Sequence, residues 1–165
     1  MKILVDADSC PRDARELTLR FAVRRGISAV FAANRPIPGI GHSSRAGVSP
    51  GDGGEKIVME ICPPGENSAD NRIVELAEPG DLAVSRDLAL VKRLLEKGVA
   101  VIDDRGRTFS LNNINELLSL RDFTVGLAEN GLGVERTANY GKKERKAFAD
   151  SLDRQLVKLV KRTAD

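Results

Sequence analysis

A chain of 165 residues and 17.9 kDa is long enough to bury one substantial core and short for two full domains. Hydrophobic residues at 41% and charged residues at 30% exclude a chain that is disordered throughout, while a net charge of +2 excludes nothing until it is divided along the sequence. Aromatic residues at 4% and the lack of Trp leave a core of Leu, Val, Ile and Ala, with few platforms on which bases could stack.

Residues 2–5 read as a short apolar strand closed by Asp6, and Pro11 stands where the first turn of a helix tolerates a missing N–H. Ala14, Leu17, Phe21 and Ala22 then recur at helical spacing over residues 12–25, and Gly26 stops the run. A second strand is expected at 29–33. After it, Pro and Gly break up residues 36–54, which predicts a flexible surface loop carrying the single His42. Gly51-Asp52-Gly53-Gly54 lacks the Lys-Ser/Thr and the helix of a phosphate loop.

Strand character returns at 56–62, helix at 70–77, strand at 82–84, helix at 88–97 and strand at 99–102. This alternation predicts an α/β fold with a mostly parallel central sheet and helices on both faces. The last third reads as helices at 113–120, 122–129 and 142–162. The expected organisation is an α/β domain over 1–134 and a basic C-terminal helical extension over 135–165, packed on the same domain.

Two cysteines and a Met1 that leads straight into an apolar strand point to a reducing compartment, with the cytoplasm as the default. No apolar run approaches the roughly 20 residues that cross a bilayer. Cys10 has no His near it in sequence and reads as a small buried hydrophobe.

Ligands of open parallel sheets collect outside the carboxyl ends of the strands, and the residues that follow the strands here are acidic. Asp6 and Asp8 follow the first as V-D-A-D-S-C-P, Asp87 follows V-S-R, Asp103-Asp104 follow V-I, and Asp70 opens a helix that starts near the same edge. Carboxylates crowded together resist ionisation, and a hard divalent cation relieves the repulsion. Oxygen-only ligation selects Mg²⁺ or Mn²⁺ over zinc or copper. Asp6, Asp8, Asp87 and Asp104 are the expected ligands, and Asp6, Asp8, Asp70 and Asp87 the expected catalytic set. Each has an ordinary structural alternative: Asp87 can cap its helix, Asp70 can sit in a first turn favoured by the helix dipole, and Asp103-Asp104 can belong to a turn.

Two chemistries use this pattern. A metal-dependent nuclease needs no side-chain nucleophile. A phosphatase of the haloacid-dehalogenase type would use Asp6 as nucleophile and Asp8 as acid/base, supported by Ser85 and Asp103-Asp104; it wants an inserted segment before the first helix and a well-placed Lys, neither of which the sequence offers. A non-catalytic RNA-binding or regulatory module is the third reading.

The segments V-D-A-D-S-C-P, A-D-N-R-I-V-E-L-A-E-P-G-D-L-A-V-S-R-D-L-A-L, R-D-F and A-F-A-D-S-L-D-R resemble the bacterial YaiI/YqxD family over most of residues 1–155. The resemblance implies a PIN-like fold, in which acidic residues at strand ends bind Mg²⁺ or Mn²⁺ and cut RNA. Asp6, Asp8, Asp70 and Asp87 match its acidic positions, whereas Asp103-Asp104 stand where relatives often carry uncharged residues.

Residues 135–162 hold nine Lys or Arg against four Asp or Glu, leaving 17 basic and 20 acidic residues elsewhere. Phe148, Leu152, Leu156 and Leu159 form one apolar stripe, which must pack on the body or on another copy in a homodimer. Lys142, Lys143, Arg145 and Lys146 gather at the start of that helix, where they can meet the phosphates of RNA without base preference.

Overall fold

The computed structural model describes residues 1–40, 57–129, 131 and 139–164. Five strands, β1 (Lys2–Asp6), β2 (Ser28–Ala33), β3 (Ile57–Ile61), β4 (Leu82–Val84) and β5 (Ala100–Ile102), form one sheet in the order β3-β2-β1-β4-β5. Every pairing is parallel. The helices are α1 (Arg12–Arg25), α2 (Ser68–Leu76), α3 (Leu88–Glu96), α4 (Leu111–Glu129) and α5 (Lys142–Ala164). The α/β class expected from the alternation of strands and helices is the one observed.

The strand order reverses beside β1. The chain builds outward through β2 and β3 on one side, then returns to place β4 and β5 on the other. Right-handed crossovers running in opposite directions must use opposite faces of the sheet, which explains the two cores. On one face α1 and α5 cover Ile3, Val5, Phe31 and Val84; on the other α2, α3 and α4 cover Leu4, Ala32, Ala83 and Val101. A strand with helices on both sides has no polar face, and Ile3, Leu4 and Val5 are all fully buried.

The C-terminal stripe is satisfied within the chain. Phe148, Leu152 and Leu156 have no exposed surface and Leu159 has 4%, all in the cluster that contains Ile3 and Val5. Truncating any one of the first three leaves a cavity costing about 2–5 kcal/mol. The stripe therefore supplies no argument for a second copy.

Two expectations change. Residues 113–129 do not hold two helices, because Arg121 and Asp122 continue the turn and α4 runs unbroken; its start is a reciprocal cap in which Asn113 N donates to Ser110 Oγ at 3.3 Å and Ser110 N donates to Asn113 Oδ1 at 3.0 Å. The expected loop at 36–54 is anchored at its start, since Ile37 and Ile40 are buried beside α1 at 4% and 5% exposure. The rest of that segment, including His42 and Gly51 to Gly54, lies outside the described residues, as does the boundary expected near 135.

One glycine fixes how closely α5 approaches the sheet. Gly106 has φ +84° in the turn after β5, and a Cβ there would lie 2.4 Å from Ala147 O on α5. Gly80 has φ +89° with nothing near its Cβ position. Gly80→Ala should therefore cost only the left-handed strain of about 1–2 kcal/mol, and Gly106→Ala clearly more, because a backbone carbonyl must also move. Urea unfolding of the two variants measures the difference; equal losses would show that the α5 contact is not tight.

Candidate functional site

The register of the sheet brings the acidic residues together. Val5 pairs with Val84, so the next residues, Asp6 and Ser85, stand side by side at the carboxyl edge. Ser85 Oγ donates to Asp6 Oδ2 at 3.0 Å and Ser9 Oγ donates to the same oxygen at 2.6 Å. Asp6 Oδ1 accepts no hydrogen bond among the described residues. Two residues later Asp8 Oδ2 accepts from Asn34 N at 2.7 Å, tying the end of β1 to the end of β2.

Asp70 lies in the first turn of α2, whose entry is shaped by Asn67 in the left-handed region with φ 60°. Asp87 caps α3: its Oδ1 accepts from Ala89 N at 2.9 Å and Leu90 N at 3.3 Å. The structural alternative for Asp87 is thus realised, and its Oδ2 remains outside the cap. All four aspartates line one cleft of about 440 Å³, shared with Ser9, Asn34 and Ser68 and flanked by Arg86 and Arg121. The cleft sits beside the point where the strand order reverses, the usual ligand position in doubly wound sheets.

Electrostatics register the crowding. Burial pushes Asp70 up to about 6, assisted by the carboxylates of Asp6, Asp87 and Asp8 and opposed by Arg93. Asp6 is also raised, first by burial; the two serine hydroxyls oppose the rise, while Asp87 and Asp8 add to it. The opposite edge of the sheet shows what a structural buried aspartate looks like. Asp81, 2% exposed, accepts from Lys2 N and Glu78 N at 2.9 Å each and pairs with Lys2 Nζ at 2.8 Å. Asp6 has hydroxyls in place of the lysine.

The remaining expected residues fall elsewhere. Asp103 is a turn carboxylate that accepts from Arg105 N at 2.9 Å and Arg107 N at 2.8 Å. Asp104, expected among the metal ligands, does not line the cleft; it is 4% exposed, with Oδ1 lying 3.4 Å from Arg86 Nε and Oδ2 without a partner. Burial raises its carboxyl and Arg86 opposes the rise. Cys10 is buried and pushed up to about 12, first by burial and then by Asp104, so it stays a thiol. Lys142, Lys143, Arg145 and Lys146 occupy the first turns of α5 and none lines the cleft; Arg145 pairs with Asp13 at 3.5 Å and Lys146 with Asp150 at 2.7 Å. The sequence reading missed Asn34, Arg86 and Arg121 as cleft residues, although Arg86 and Arg121 stood inside the quoted segments V-S-R-D and R-D-F.

The donor set suits a hard cation in kind, being oxygen-only and short of protein counter-charge. It is not converged: among the described residues no three His, Cys, Asp or Glu are placed to hold one ion. Magnesium commonly binds through one or two carboxylates and keeps several waters, so the arrangement fits that manner of binding better than an all-protein cage. Among the described residues no helix is long and apolar enough to cross a membrane.

Comparison with known proteins identifies relatives along nearly the whole chain. The family model described as "Uncharacterized BCR, YaiI/YqxD family" matches residues 4–158. The chain is 42% identical to a UPF0178 protein of Treponema denticola over 161 residues, covering 98% of this chain and 95% of the relative. It is 40% identical to a UPF0178 protein of Treponema pallidum, covering 98% of this chain and 84% of that one. A UPF0178 protein of Pseudomonas aeruginosa is 38% identical over 165 residues, covering 100% of this chain and 95% of the relative. No solved structure matches the chain significantly.

The raised carboxyl of Asp70 has a consequence for stability. A folded-state value near 6 means that the native state holds a proton the unfolded chain releases at lower pH, so this group favours folding below the ordinary aspartate range and loses that advantage as pH rises through about 6. Asp70→Asn should therefore be more stable than the parent at pH 7, and the gain should vanish below about pH 4. Urea melts across that range check it; a pH-independent difference would remove electrostatic crowding as the cause.

Proposed function

The chain belongs to the YaiI/YqxD family of bacterial proteins, and on that footing we propose that its cleft binds Mg²⁺ or Mn²⁺ and hydrolyses RNA phosphodiester bonds, as the expected likeness to PIN-like nucleases implies. The observation that carries the reading is the shared cleft of Asp6, Asp8, Asp70 and Asp87, with Asp70 pushed up to about 6 by burial and by the other three. Among the described residues the four carboxylates outnumber the two guanidinium groups, Arg86 and Arg121, that line the same cavity, which leaves the site short of positive charge.

Because no three acidic side chains converge among the described residues, one or two of these four aspartates would hold the cation directly and the others would act through its waters. When bound, the ion supplies Lewis-acid polarisation of the phosphodiester and a water of lowered pKa. Ser9 and Ser85 fix the Asp6 carboxylate by occupying Oδ2, which leaves Oδ1 for the cleft. Asn34 N holds Asp8 Oδ2 from the end of β2, while Asp8 Oδ1 lies 3.9 Å from Arg35 Nε. Asp70, pushed up to about 6 in the cation-free cleft by burial and by its neighbouring carboxylates, would give up that proton when a cation binds.

The phosphatase alternative loses support from the geometry. Among the described residues no lysine lines the cleft, and α1 starts at Arg12, directly after the acidic turn, without the inserted segment that chemistry wants. The absence of three converged ligands among the described residues favours the non-catalytic RNA-binding module as the second reading.

Incubation with mixed single-stranded RNA and Mn²⁺ separates them. The parent protein should cleave, chelation should stop it, and Asp6→Asn should reduce the rate at least 100-fold, the scale on which removal of an acid/base or electrostatic group acts. Cleavage that persists in both Asp6→Asn and Asp87→Asn would assign it to a contaminant, and binding without cleavage would support the non-catalytic module.

A further inference from the structure

Four carboxylates repel the phosphates of the substrate proposed above, so the cleft needs cations of its own at the places where those phosphates come to rest. The described residues lining it supply two, Arg86 and Arg121, which come from different elements. Arg121 projects from the middle of α4, and its side chain has neither an ion pair nor a hydrogen bond among the described residues. Arg86 follows β4, and its Nε donates to Ser9 O at 3.1 Å while lying 3.4 Å from Asp104 Oδ1. Both anchors act on Nε, which leaves the terminal amino groups of the guanidinium for a ligand.

Asp104 gives this arrangement its direction. A carboxylate only 4% exposed, with one oxygen unpartnered, is costly to bury, and its one ion-pair partner among the described residues is Arg86. A surface arginine could be solvated without it. Its effect is to hold the half-exposed guanidinium of Arg86 on the rim of the cleft instead of letting it swing into solvent or fold onto Asp87.

We propose that Arg86 and Arg121 grip two phosphates of a single-stranded nucleic acid laid across the acidic cleft, with Asp104 as the positioning residue for Arg86. The proposal rests on the nuclease reading for its substrate class and relocates the strand from the start of α5 to the cleft at the carboxyl edge of the sheet, beside the first turn of α2, the cap of α3 and Arg121 of α4. Among the described residues no aromatic side chain lines the cleft, so the contact is with the backbone and carries little base preference. At the start of α5, by contrast, Arg145 and Lys146 are already paired with Asp13 and Asp150.

Binding is measured without chemistry, by fluorescence anisotropy of a labelled single-stranded RNA in EDTA at several salt concentrations. Arg121→Gln and Arg86→Gln should each weaken binding about tenfold and lower the salt slope by about one, whereas Lys142→Gln/Lys143→Gln should stay within about twofold of the parent. Asp104→Asn should weaken binding in the parent and have no further effect in the Arg86→Gln background, which a merely structural role would not produce. Because Arg121 is exposed and unpaired among the described residues, its variant tests the idea even if Arg86→Gln or Asp104→Asn disturbs the fold. Parent-like binding by Arg121→Gln, a loss confined to the α5 variant, or no binding by the parent would overturn the proposal. RNA bound through the arginines but never cut in Mn²⁺ would refute the nuclease reading alone; cutting at an undiminished rate by both arginine variants would refute this proposal alone.

Discussion

An ionisable carboxyl group at the end of a strand with no solvent access must find inside the protein what water would otherwise supply. Asp6 stands in that position, after Ile3, Leu4 and Val5, all fully buried. Two serine hydroxyls meet half of the demand by donating to Oδ2. The other half is left open toward a cleft where Asp8, Asp70 and Asp87 add charge of the same sign. A fold that wanted only a stable edge could have used the solution it uses at the opposite end of the sheet, where Lys2 and two backbone N–H groups satisfy Asp81 completely.

The arrangement of the sheet makes this crowding unavoidable. Because β1 lies at the centre with β2 and β4 on either side, the turns after three parallel strands and the first turns of α2 and α3 converge on one edge. The helices divide between the faces, so the edge can be open on the α4 side while α5 closes the other by burying Phe148, Leu152 and Leu156. The close approach at Gly106 ties that closing helix to the turn after β5, the turn that also carries Asp104. That turn links the two regions, because Asp104 lies against Arg86 at the cleft while Gly106 packs on Ala147 of α5.

Much of this was legible in the sequence because hydrophobic periodicity reports burial directly. The strands at 82–84 and the helix at 12–25 come out at their observed bounds, and the C-terminal stripe lands in the core residue by residue. What escaped was information held only by tertiary contacts. The expected break at Arg121 is absent: Arg121 is a good helix former and α4 runs through it and through Asp122, whose own propensity is low. Ile37 and Ile40 were hidden by the prolines and glycines around them. Asp104 read as a ligand because it follows a strand, and only the folded chain brings it to its neighbour Arg86. Ser85 and Arg86 sat beside Asp87 in plain view, but nothing in their spacing tells a reader which side chain faces Asp6 and which lines the cleft.

The central claim is that Asp6, Asp8, Asp70 and Asp87 act together as a cation site. Its most direct test is paramagnetic broadening of carboxyl carbon resonances in aspartate-labelled protein as Mn²⁺ is added. Broadening should begin at these four residues while Asp81 and Asp103, which are satisfied by the protein itself, remain sharp. Broadening that starts at exposed carboxylates such as Asp150, or none at any Mn²⁺ concentration that leaves the fold intact, would contradict it and make the acidic edge a structural feature.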